Sequence, residues 1–145
     1  MKQLFTLVLT AFVFLSSTCK KEIQLPDPEL KKIFGKWEWV STSGGFAGKT
    51  TTPSSAGYTV RVEFSSNGIY QKYQNNALTD RKNFSFSQET SIHNHQQVWV
   101  ISFTEAVPHF NESPQTMSVS FSGQDTLMLD EQAYDGFGYT YARIK

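Results

Sequence analysis

The sequence has a single cysteine, Cys19, among 145 residues. That excludes an intrachain disulfide framework and any zinc site built from several thiolates. It also lacks an excess of charge of either sign, with 13 Lys and Arg against 13 Asp and Glu and no basic block longer than a pair. Clustered cations are what hold a phosphate backbone, so nucleic acid is not expected as a partner. No apolar run reaches the roughly 20 residues that a membrane-crossing helix needs. Helical periodicity is equally scarce, with one candidate beyond the N-terminus, Pro28 to Phe34.

What is present begins at the N-terminus. Lys2 precedes an apolar run from Leu4 to Leu15, broken only by Thr6 and Thr10. Its length and flanks are those of a signal peptide, and the small residues Ser16, Ser17 and Thr18 lead directly into Cys19. The segment Leu15-Ser16-Ser17-Thr18-Cys19 resembles a bacterial lipobox, with threonine where glycine or alanine is usual. The resemblance implies cleavage after residue 18 and lipidation of Cys19 by diacylglycerol and an amide-linked acyl chain such as palmitate. At about 0.8 kcal/mol per buried methylene, two or three such chains give stable anchoring. Residues 19–27, with Pro26 and a mixture of charges, read as a flexible tether. Lys20 in second position favours the outer membrane by analogy with Gram-negative sorting, and either face of that membrane stays open.

Residues 28–145 are the size of one domain. Asp27 is a candidate N-cap, Pro28 suits a first helical turn, and Gly35 stops the short helix, which places Leu30, Ile33 and Phe34 on one face. From Gly35 onward the period is two. Strands are expected at Trp37 to Ser41, Tyr58 to Ser65, Ile69 to Gln74, a segment ending near Phe86, Gln97 to Phe103, Thr116 to Phe121, Thr126 to Leu129 and Tyr139 to Ile144. Ser66-Asn67-Gly68, Asn75-Asn76 and Ser122-Gly123-Gln124-Asp125 supply turns, and Gly44 to Gly57 a long loop. Eight sequential strands with short connections predict an all-β, antiparallel, up-and-down β-barrel, because closure removes exposed sheet edges. A β-sandwich is the alternative.

Gly35-Lys36-Trp37 at the start of the first strand, behind a helical turn and ahead of seven further strands, resembles the glycine-x-tryptophan motif of lipocalins. With Phe64-Ser65-Ser66-Asn67-Gly68-Ile69-Tyr70 and Gly123-Gln124-Asp125-Thr126-Leu127-Met128-Leu129, it makes the chain similar to the small lipocalin-like lipoproteins of Bacteroidetes over residues 34–145. The resemblance implies a barrel in which Arg143, on the last strand, packs over Trp37. Gly35, Trp37 and Arg143 are then structural residues.

The chemistry-bearing residues are read individually. His93-Asn94-His95 and His109 are all the imidazoles there are. They read as polar loop residues, and no metal or cofactor is expected. Asp125, Asp130, Glu131 and Asp135 fall where turns are expected, their spacing matches no calcium loop, and no nucleophile, base and orienting group come together; the chain is read as non-enzymatic. Alternate strand positions face a barrel interior, which makes Trp39, Tyr58, Tyr73, Trp99 and Tyr141 the candidate wall of a site for a small apolar or amphipathic ligand. The Gly44 to Gly57 loop, the turn at Asn75 and the Val107 to Pro114 loop, with Phe46 and Phe110, are expected to frame its open end. The alternative role is an envelope accessory or protein-interaction function with a filled barrel. A monomer is expected.

Overall fold

The computed structural model describes residues 22–105 and 115–145. Cys19 and the signal segment, with Val107, His109, Phe110 and Pro114, lie outside the described residues. Among those described, no helix is long and apolar enough to cross a membrane.

Asp27 does what an N-cap does: its side chain accepts a hydrogen bond from Glu29 N at 2.8 Å, and Pro28–Ile33 follows as a 3-10 helix. Leu30 and Ile33 are buried in the main core, so this turn closes one end of the molecule.

Strand β1 (Gly35–Gly44) comes next, then β2 (Lys49–Thr51), the helical turn α1 (Pro53–Ala56), β3 (Val60–Phe64), β4 (Ile69–Gln74), β5 (Ala77–Thr90), β6 (Gln97–Glu105), β7 (Gln115–Ser122), β8 (Thr126–Glu131) and β9 (Phe137–Arg143). Each strand from β3 to β9 pairs antiparallel with its neighbour in sequence, and β1 pairs with both β3 and β9. The sheet therefore closes into an eight-stranded antiparallel barrel of up-and-down order, and the sandwich alternative is not formed. β2 is an extra strand on β1 at Thr42 to Gly44, beyond the stretch Gly35 to Glu38 that pairs with β3.

The expected Gly44 to Gly57 loop is thus partly ordered secondary structure. Thr52 and Ser55 form a reciprocal capping box around α1, Pro53 sits in its first turn, and Gly57 ends it at φ 76°. Between β4 and β5 the turn is Asn75-Asn76, at φ 49° and 67°. Asparagine is among the few residues that enter the left-handed region readily, and two such residues in succession match the twist of a hairpin.

Inward positions follow the ladder. Trp37, Val62, Phe64, Ile101 and Leu127 are each no more than 2 % exposed. Full burial of an aliphatic or aromatic side chain contributes about 1.5–3 kcal/mol, so this layer is the main stabilising element. Phe64 contacts Phe84 edge-on at 5.4 Å between centroids, and Tyr70 meets Phe103 at 4.8 Å. These rings fill the barrel between the helical plug and its upper third. Eight strands enclose little more than side chains, so bulky rings at mid-height leave little space there, and two voids lie toward the end opposite the plug.

Candidate functional site

That open end is built by a break in one strand. Trp39 pairs with Tyr141, but the next register pair is Ser41 with Thr140, which leaves Val40 as the extra residue of a β-bulge. Without it, Thr42 would face outward. With it, Thr42 stands opposite Tyr139 and accepts a hydrogen bond from the Trp39 indole nitrogen at 2.9 Å. The bulge therefore turns the upper part of β1 toward the interior and orients the Trp39 ring. Tyr58 stacks on that ring, with centroids 5.7 Å apart and planes 17° from parallel.

Below this pair lie two small voids. The outer one, of about 100 Å³, is bounded by Trp39, Thr42, Tyr58, Lys72 and Tyr141 among others. The inner one, of about 90 Å³, is bounded by Tyr70, Asp80, Lys82, Phe103 and Met117 among others. Lys72, Tyr139 and Tyr141 line both. Each void is smaller than the roughly 300–1,000 Å³ of a drug-sized ligand pocket.

The walls are amphipathic. Lys82 lies 3.4 Å from the Asp80 carboxylate and 3.2 Å from that of Glu105. Burial acts to lower its pKa, but the hydrogen bond to Glu105 and the charge of Asp80 outweigh burial and hold it above the ordinary lysine value. No carboxylate among the described residues lies within 4.0 Å of the Lys72 ammonium. Burial also raises the pKa values of Tyr70 and Tyr141 far above the ordinary tyrosine value. Tyr139 is pushed up to about 12, by burial first and then by Glu131, whose carboxylate accepts its hydroxyl at 3.2 Å. This end of the barrel therefore presents Lys72, the Lys82–Asp80 ion pair, the phenols of Tyr70, Tyr139 and Tyr141 held protonated at neutral pH, and an indole face.

The sequence-stated candidates separate in space. Trp39, Tyr58 and Tyr141 come together at the void. Tyr73 does not, and its assignment to the wall is corrected: the pairs Val60 with Gln74, Val62 with Lys72 and Phe64 with Tyr70 put even-numbered residues of β4 inside. Tyr73 is outside, opposite Arg61, whose guanidinium carbon lies 4.3 Å from its ring centroid. Trp99 lines neither void, and its indole nitrogen donates to Asp27 at 3.3 Å, toward the plugged end. Tyr70, Lys72, Lys82 and Tyr139 were missed as wall residues. The signal for the first two was available in the turn Ser66-Asn67-Gly68, which sets Tyr70 opposite Phe64 and so Lys72 opposite Val62.

At the other end, Gly35 has φ 121°, and a Cβ there would sit 3.2 Å from an Arg143 nitrogen. His93 and His95 lie in the β5–β6 connection, and among the described residues no three His, Cys, Asp or Glu side chains are grouped to hold a metal. No family model, curated protein or solved structure matches the chain.

Proposed function

We propose that this chain is a non-enzymatic binding module of lipocalin-like build, anchored to the outer membrane through lipid on Cys19, which takes one small amphipathic ligand at the open end of its barrel. The observation that carries the reading is the paired void shared by Lys72, Tyr139 and Tyr141 beneath the stacked Trp39 and Tyr58. An entirely apolar guest would strip water from Lys72 and the phenols without replacing their hydrogen bonds, at a cost of about 1–3 kcal/mol per group. A guest with one flat apolar face and one hydrogen-bonding or acidic end satisfies both. The small volume restricts it to about the size of a single ring with its substituents.

Native mass spectrometry of the full chain purified from its own envelope tests this. A discrete small-molecule adduct, lost in Trp39→Ala and Lys72→Met, is the expected result. An adduct-free protein whose tryptophan fluorescence does not respond to extracts of that envelope overturns it. The small void volumes favour the second reading, a filled barrel with recognition on its surface, and the same negative result would support that reading.

A further inference from the structure

Strand parity puts Ser118 and Asp130 on the outer face, because they pair with each other while Met117, Val119 and Leu129 on either side face the core. Above them is a groove of about 380 Å³ on the outside of the barrel, separate from the voids within. Its far wall is the connection between β5 and β6. That connection is fixed rather than dangling: Ser91 is 4 % exposed, Ile92 N donates to the Gln132 side chain at 3.3 Å, and the His93 ring nitrogen Nε2 meets Glu131 O at 3.4 Å.

Asp130 is the unexplained group in this groove. Among the described residues no cation lies within 4.0 Å of its carboxylate and no donor reaches it; burial raises its pKa, and the charge of His93, on the same lining, opposes that rise. A Cβ on Gly138, its partner on β9, would collide with the Asp130 carboxylate, so the glycine leaves the space in which that carboxylate lies against the sheet. Glu131 cannot stand in for it, since its two oxygens already accept from Phe137 N and the Tyr139 hydroxyl.

The rest of the lining decides the ligand class. Neither Lys nor Arg lines the groove, and the Asp130 and Glu131 carboxylates outnumber His93 there, which disfavours anions. Ser118 Oγ donates to Asp130 O at 3.3 Å and can still accept, Asn94 Oδ1 accepts from Gln96 N at 3.1 Å and leaves its amide NH2 to donate, Ser120 can do both, and Tyr134, 86 % exposed, stands at the rim. An organic cation would engage only the carboxylate and the ring, whereas a polyol also uses the remaining donors and acceptors of Asn94, Ser118 and Ser120. We propose that this outer groove is a second binding site, for a neutral sugar, whose hydroxyls donate to Asp130 and exchange hydrogen bonds with Asn94, Ser118 and Ser120 while its C–H face lies on Tyr134.

The test is titration of the full lipidated chain, in a zwitterionic detergent free of sugar, with glucose, galactose, mannose, N-acetylglucosamine and maltotriose, followed by ligand-observed NMR. Saturation transfer to at least one saccharide is expected, with affinity lowered about tenfold, or about 1.4 kcal/mol, by Asp130→Asn and again by Tyr134→Ala. Tyr134 is a surface side chain, so its variant separates recognition from folding. No transfer to any of the five sugars, transfer undiminished in both variants, or displacement of the sugar by tetramethylammonium overturns the proposal.

Discussion

The guanidinium of Arg143 lies over the indole of Trp37, with its central carbon 4.1 Å from the ring centroid. The same group donates to Gln124 O at 2.9 Å, to Phe34 O at 3.1 Å and to Lys32 O, while the Trp37 indole donates to Ile33 O at 2.7 Å. One pair thus joins the last strand, the first strand, the 3-10 plug and the β7–β8 turn. Arginine suits the position because its planar fork covers a ring and donates in several directions at once.

Removing that fork should be costly. The cation–π contact is worth about 0.5–2 kcal/mol, and each hydrogen bond to a charged group adds about 1.5–3 kcal/mol in gross terms. Arg143→Ala is expected to lose about 3 kcal/mol of stability in urea unfolding. Arg143→Lys should recover only a small part, since a point charge cannot reproduce the fork. Full recovery by lysine would show that charge alone matters.

Gly35→Ala should destabilise by about 1–3 kcal/mol, the range for a residue held in a sparsely populated backbone region. Its φ of 121° and the nearby Arg143 nitrogen at 3.2 Å act together. In the Arg143→Ala background the steric part is removed, so the combined loss should be less than the sum of the two single losses, which a double-mutant cycle of unfolding midpoints measures.

At the open end, Lys72→Met should weaken ligand binding about tenfold or more, since one charge-assisted hydrogen bond is worth about 1.5–3 kcal/mol. Tyr73→Ala, one residue away but outside, should leave binding unchanged while removing the Arg61 contact. Tryptophan fluorescence titration with the envelope-derived ligand compares the two. Equal effects from both substitutions would contradict the assigned register.

Alkaline pH should unfold the barrel. Tyr139 is raised from its ordinary 10.0 to about 12, by burial and then by Glu131, and Tyr70 and Tyr141 are raised further by burial. A group with a raised folded-state pKa contributes stability that is complete below its unfolded value and lost as pH climbs through the folded one. Lys82, also raised, has the same sign. Stability is therefore expected to hold up to about pH 10 and to fall steeply toward pH 12, with phenolate absorbance appearing in step with loss of circular dichroism. Phenolate formation well before unfolding would show that these rings are not closed off from water.

For the anchor, Cys19→Ala should abolish incorporation of labelled acyl chain and release the chain from the membrane fraction. A parent protein that takes up no label would remove the lipid from the proposed function and leave the barrel intact.

Much of the strand order was legible in the sequence because alternation and turn chemistry are local. Val60, Val62 and Phe64 announce an inward face, and Ser66-Asn67-Gly68 announces the reversal after it. The capping box at Thr52 and Ser55 was equally local, but a four-residue helix leaves no periodic signal. Tyr73 shows where composition misleads: an aromatic on a half-exposed strand suits either face, and the hairpin register that sets Lys72 opposite Val62 puts Tyr73 opposite Arg61, outside.

The sequence by itself determined the all-β class and the antiparallel run of strands, through side-chain period and turn residues; the pairing of Trp37 with Arg143 was only implied by a resemblance. Tertiary structure alone decided what the barrel holds and what lies outside it. The bulge at Val40 turns Thr42 inward, closure of β1 on β9 sets Tyr139 and Tyr141 beside Lys72, and the folded-back β5–β6 connection makes a groove around Asp130. Each depends on contacts between residues far apart in the chain, and a one-residue change of register reverses which side chains are enclosed.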